Sequence, residues 1–233
     1  MLASDKTLRR MLKSYAWLFH RSCIVSGNMT LPRGAKIIAL NHTDGCDPFL
    51  LPLFLHERPH FLLQDGLFTI PMIGNLLKQS GQIPVYRGTD RAREAFDQAC
   101  QLLREGRTIV IFPEGQQVPA GQRIPAKTGT VRMALETGAP IIPLGLYVPS
   151  ENLVNLKLNF NGCQRSGLWQ LSGKSYMRFG AAWRPAHGLS DADQINIHAE
   201  TDELMNRIYM LVSEIKKEIP CVSRTSLNPI PQW

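Results

Sequence analysis

From residue 36 to residue 148 the chain repeats one pattern. A short apolar run of strand character is followed by a turn and then by a stretch with helical spacing. Strand-like runs fall at 36–40, 59–63, 81–88, 107–112 and 141–148, and helical stretches at 48–56, 68–79, 89–105 and 128–137. Alternation of this kind is satisfied when the strands share one sheet and the helices cover its faces. The expected fold class is therefore α/β, a mixed and largely parallel sheet flanked by helices. Further strands are expected at 153–160 and 175–179, and one long polar helix or two shorter ones over 191–219. With 233 residues, 44% of them hydrophobic, the chain can bury a full core as one domain.

In open α/β sheets, ligands gather at the carboxyl ends of the strands. The first confident strand runs straight into Asn41-His42-Thr43-Asp44-Gly45-Cys46-Asp47-Pro48. Asp47-Pro48 has the form of a helix start, with Asp as the cap and Pro at the first helical position. The turn can bring the Asp47 carboxylate back to the His42 imidazole, fixing its tautomer and leaving the other nitrogen as a base for a hydroxyl proton. Two more strand ends carry polar groups, Arg87 after the 81–88 run and Glu114-Gly115 after the 107–112 run. If the three strands share a sense, these groups converge on one edge.

Charge and cysteine content narrow the setting. The net charge of +7 is uneven: residues 1–33 and 113–184 each sum to +5, 34–112 to 0 and 185–233 to −3. An N-terminus and central face of that sign suit an anionic membrane surface. Nucleic acid is not expected, because no RNA-binding strand, Cys/His finger or basic run interleaved with aromatics is present. The five cysteines are widely spaced, with no Cys-x-x-Cys pair, which argues against a disulfide framework and a zinc site and for a reducing compartment. No metal is expected.

Residues 4–21 combine an apolar stripe of Leu8, Leu12, Tyr15 and Phe19 with Lys6, Arg9, Arg10, Lys13 and Arg21. A basic amphipathic helix of this kind either lies in a membrane interface or packs on its own domain. No window reaches about 18 uncharged apolar residues, so neither export nor spanning is expected. The organisation read from the chain is an N-terminal basic helix over 1–21 as a membrane-interface anchor, a catalytic domain over 22–219, and a loose tail over 220–233.

Four blocks of the sequence resemble the glycerolipid acyltransferases typified by lysophosphatidic acid acyltransferase. They are Asn41-His42 and Asp47-Pro48 with four residues between; Gly81-Gln82-Ile83-Pro84-Val85-Tyr86-Arg87; Phe112-Pro113-Glu114-Gly115; and Ala139-Pro140-Ile141-Ile142-Pro143-Leu144. Lys127-Thr128-Gly129-Thr130 and Arg178-Phe179-Gly180 match further family stretches, and the resemblance covers roughly residues 22–215. It implies the fold of that family and transfer of an acyl chain from acyl-CoA or acyl-carrier protein, as co-substrate and with no cofactor, to a lysolipid hydroxyl at the cytoplasmic face of a membrane. His42 would be the general base and Asp47 its orienting carboxylate, while Arg87, Glu114, Gly115 and Lys127 would serve the acceptor.

Two departures bear on the acceptor. The family's third block usually continues Glu-Gly-Thr-Arg, and here it reads Glu114-Gly115-Gln116-Gln117, without the guanidinium that forks onto a phosphate. Asp44-Gly45-Cys46 stands where the family more often has Ser and bulkier residues, adding a carboxylate that can raise the basicity of His42 or repel an anionic acceptor. Three readings therefore stand side by side: acylation of a lysophospholipid such as lysophosphatidic acid, the same chemistry on a non-phosphate lysolipid, and a non-catalytic lipid-binding homologue.

Overall fold

The computed structural model describes residues 22–26, 31–44, 51–53, 55, 57–119, 121–160, 163–185 and 193–222. The expected N-terminal helix over 4–21 lies outside them. Nine strands are described: β1 (Ser22–Ser26), β2 (Lys36–Leu40), β3 (Pro59–Gln64), β4 (Ile83–Val85), β5 (Thr108–Ile111), β6 (Ile141–Tyr147), β7 (Leu153–Phe160), β8 (Cys163–Gln170) and β9 (Lys174–Phe179). The helices are α1 (Ile73–Gln79), α2 (Ala92–Arg104), α3 (Gly129–Thr137) and α4 (Asp193–Val222).

Seven strands form one sheet in the order β1-β9-β6-β2-β5-β3-β4. The five from β6 to β4 run parallel, β9 pairs antiparallel with β6, and β1 lies parallel to β9. This is the mixed, largely parallel sheet that the alternation required. Every residue of β2 is buried, as expected for a central parallel strand covered on both faces. Ile38, Leu40, Val110, Ile142 and Leu144 pack on one side with Leu51 and Leu55. On the other side Ile37, Ala39, Ile109 and Ile141 meet Ala99 and Leu103 of α2, Met133 of α3, and Leu204 and Ile208 of α4. At the opposite end of the sheet from the carboxyl ends, buried Lys36 pairs with Glu57, which also accepts from the Thr108 hydroxyl at 2.6 Å.

Pro143 sits inside β6, where a missing N–H would normally break the ladder. Ile141 pairs with Trp183, yet Leu144 pairs with Phe179. Three steps along β6 thus face four on the other strand. The extra residue is a bulge, and Pro143 lies opposite it, with its carbonyl accepting from Gly180 N at 2.8 Å.

Several element boundaries differ from those expected. The helix over 68–79 is a 3-10 turn (Asp65–Thr69) followed by α1, because Pro71 and the left-handed Met72 (φ 65°) interrupt it. In place of a helix over 48–56, the described residues hold a single 3-10 turn, Leu51–Leu53, containing Pro52. The 81–88 run shortens to the three residues of β4, an edge strand that tolerates Pro84. α4 continues to Val222, into the stretch expected to be a loose tail, since a proline in the final turn removes only one hydrogen bond. β7 and β8 form a separate antiparallel ribbon.

Candidate active site

β2 ends at Leu40, but the Asn41 side chain extends its pairing with β6. Asn41 Oδ1 accepts from Leu146 N and Nδ2 donates to Leu146 O, both at 2.8 Å. Nδ2 also donates to Thr43 Oγ1 at 3.1 Å. A buried amide occupied this way fixes the direction in which the chain leaves the sheet. His42 is the next residue.

The loop after β5 grips the His42 backbone from both sides. His42 N donates to Glu114 Oε2 at 2.7 Å, and His42 O accepts from Val118 N at 2.9 Å. Its half-buried ring lies against Phe112, with centroids 4.2 Å apart. Burial pulls its pKa from 6.5 down to about 4, while Asp44 and Glu114 work to raise it and Arg87 adds to the lowering. The imidazole is therefore neutral at pH 7, the form in which it accepts a proton. Asp44 is fully buried and does supply the carboxylate influence on His42 that its position implied. Asp47 and Cys46 lie outside the described residues, and so does the expected contact between Asp47 and His42.

Glu114 is 3% exposed, and both of its oxygens face protein donors. Oε2 takes the His42 amide, and Oε1 accepts from the Tyr209 hydroxyl at 2.5 Å. Burial raises its pKa, and these two hydrogen bonds oppose the rise. Gly115 has a left-handed φ of 68°, and a Cβ there would come within 3.2 Å of Lys127 Cε. The Lys127 stem covers this glycine, and its backbone N donates to Pro113 O at 2.8 Å. Arg87 is exposed just beyond β4, with its charge felt at His42. The strand ends thus gather His42, Asp44, Glu114, Gly115 and Lys127 at one edge of the sheet, within electrostatic reach of Arg87.

Tyr209 was not a sequence candidate, since nothing in a polar helix singles out one tyrosine. It reaches the site because α4 lies directly on β6. A Cβ on Gly145 would stand 2.7 Å from Leu211 Cβ and 2.8 Å from Val212 N, so only glycine allows the approach. Between helix and loop is a cavity of about 180 Å³ bordered by Asn41, His42, Glu114, Arg123, Tyr209 and Lys216. Gln117 faces the β7–β8 ribbon instead, with Oε1 accepting from Leu168 N at 3.0 Å and Nε2 donating to Leu168 O at 3.4 Å. Among the described residues no cluster of three His, Cys, Asp or Glu could hold a metal. Cys100 is buried in the core with its thiol pushed up to about 11, which makes it a poor nucleophile.

A family model described as Acyltransferase matches residues 22–147. A 1-acyl-sn-glycerol-3-phosphate acyltransferase of Borreliella burgdorferi is 34% identical over 143 residues, which are 60% of this chain and 57% of that protein. One from Pseudomonas aeruginosa is 26% identical over 131 residues, 54% of this chain and 51% of its own length. The chain thus spans little more than half the length of these relatives. The crystal structure of the 1-acyl-sn-glycerophosphate acyltransferase PlsC from Thermotoga maritima has the same fold, with a TM-score of 0.68 at 21% identity over 91% of this chain and 79% of that one. With more than half of its residues inside the family match, the chain belongs to the acyltransferase family.

Proposed function

We propose that the chain moves a fatty acyl group from a thioester, acyl-CoA or acyl-carrier protein, to a free hydroxyl of a lysophospholipid such as lysophosphatidic acid. The observation that carries this reading is His42: a neutral imidazole at the carboxyl edge of the sheet, its backbone clamped by Glu114 and Val118, bordering a cavity. The relatives that bear the name 1-acyl-sn-glycerol-3-phosphate acyltransferase support the choice of acceptor.

In this scheme His42 takes the proton of the acceptor hydroxyl as its oxygen attacks the thioester carbonyl carbon. The tetrahedral intermediate expels the thiolate as the C–S bond breaks, and the imidazolium returns the proton to sulfur. Asp47 and the charge of Asp44 steady the imidazolium, while Arg87, Gly115 and Lys127 are assigned to the acceptor by the family resemblance. A thioester is already activated, so a positioned base supplying about 10²–10⁴-fold, together with orientation, is sufficient. The basic, amphipathic stretch over 4–21 would hold the protein on the anionic cytoplasmic face of a membrane as a peripheral or monotopic enzyme.

The test is product formation. Purified protein incubated with labelled acyl thioester and lysophosphatidic acid is expected to form phosphatidic acid, and His42→Ala to lose at least about 10²-fold of that rate. Undiminished transfer by the variant would end the proposal.

A further inference from the structure

The cavity beside His42 carries two cations that the proton-transfer scheme leaves unused. Arg123, on the loop after β5, holds its guanidinium carbon 4.3 Å from the centre of the Tyr209 ring. Lys216, two turns further along α4, holds its ammonium 5.0 Å from the centre of the Tyr147 ring. Both cations and both rings border the cavity that also contains His42. Stacking on an aromatic face positions a cation without neutralising it. Among the described residues neither cation has a carboxylate partner, because Glu214 and Glu218 of α4 are both paired with Arg178. The one carboxylate on the cavity wall, Glu114, is turned to His42 N and the Tyr209 hydroxyl. The field in the cavity mouth is therefore positive, with Ser213 and Gln122 adding neutral hydrogen-bonding groups.

The other basic groups are placed elsewhere. Arg132 lies over Phe96 between α2 and α3, and the Lys127 stem covers Gly115. Arg87 and Lys127 are not among the residues bordering this cavity. Gln117, where the family's third block usually carries arginine, has both ends of its amide engaged by Leu168.

We infer that Arg123 and Lys216 form a phosphate-ester subsite, a forked guanidinium and a mobile ammonium closing on one anionic group in the His42 cavity. The inference rests on the acyl-transfer reading, which supplies two sources of such a group: the phosphate of the acceptor, and the phosphates of coenzyme A or phosphopantetheine on the donor.

Two assays on the full chain separate the sources and keep the subsite testable without turnover. In the kinetic assay, Arg123→Gln and Lys216→Gln are each expected to raise one KM about tenfold to a hundredfold, the loss of a charge-assisted hydrogen bond, with kcat within about threefold of the parent. A rise confined to lysophosphatidic acid assigns the subsite to the acceptor, and a rise confined to acyl-CoA assigns it to the donor. In the binding assay, the melting temperature is read with short-chain lysophosphatidic acid, with coenzyme A and with uncharged monoacylglycerol. At least one phosphate-bearing probe is expected to stabilise the parent and to lose that effect in the double variant. Unchanged KM values together with unchanged shifts in the double variant would overturn the subsite. If the parent makes no product from either substrate, the functional reading fails, and the melting shifts still decide the subsite.

Discussion

Replacing Tyr209 with Phe removes one oxygen and nothing else from the contact that joins α4 to the loop after β5. That oxygen donates at 2.5 Å to Glu114, a carboxylate 3% exposed whose other oxygen holds the His42 amide. Hydrogen bonds to charged groups contribute about 1.5–3 kcal/mol. In a domain of this size each kcal/mol moves the melting temperature by roughly 2–4 °C, so the variant should melt about 3–12 °C lower at neutral pH. The sign of the pH dependence is fixed. The Tyr209 bond lowers the pKa of Glu114 and so favours the carboxylate, while burial pushes the other way. Its contribution is fully present while Glu114 is ionised in both proteins, begins to fade as pH falls through the higher Glu114 pKa of the variant, and is lost below that of the parent. The gap in melting temperature between parent and variant must therefore narrow on acidification. Thermal unfolding by circular dichroism across a pH series reads both quantities. A variant that melts with the parent at neutral pH, or a gap that does not change with pH, would refute the idea that this hydroxyl supports the Glu114 carboxylate.

Two further perturbations probe the supports of the site. Gly145→Ala places a methyl within 2.8 Å of Leu211 and Val212, and overpacking of this kind is expected to cost about 1–3 kcal/mol in urea unfolding. Because lifting α4 also withdraws Tyr209, transfer activity should fall by more than the stability loss alone explains, and full activity in a folded variant would count against that coupling. Gln117→Ala frees the backbone of Leu168, so the amide of that residue is expected to exchange hydrogen faster while the β2 amides keep their protection. Equal exchange at Leu168 in both proteins would show that the ribbon does not depend on Gln117.

How much of this was legible in the sequence follows from the range of each interaction. The parallel sheet and the gathering of His42, Glu114 and Gly115 were readable, because apolar runs ending in polar turns are local signals and a shared strand sense does the rest, whereas Lys127 was indicated by the family resemblance alone. The influence of the Asp44 carboxylate on His42 was readable from its place two residues on, but its burial was not. Tyr209 was not, because it reaches Glu114 only through the contact of α4 with Gly145, across more than sixty residues of chain. Nor was the role of Gln117, whose partners are backbone groups that carry no sequence signal. β8 escaped because Cys163–Gln170 lacks alternation, and pairing with β7 gives it its form. The helix expected over 68–79 failed where Pro71 and Met72 overrode an apolar periodicity that was otherwise sound.

The claim on which the rest depends is that the fold keeps His42 as a neutral base at the cavity. It is tested most directly by following the His42 ring resonances by NMR through an acid titration of the intact protein, with His42→Gln to assign them. The expected midpoint is near 4, with the ring uncharged throughout the neutral range. A midpoint at 6.5 or above would mean that the site does not suppress the charged form, and would contradict the account.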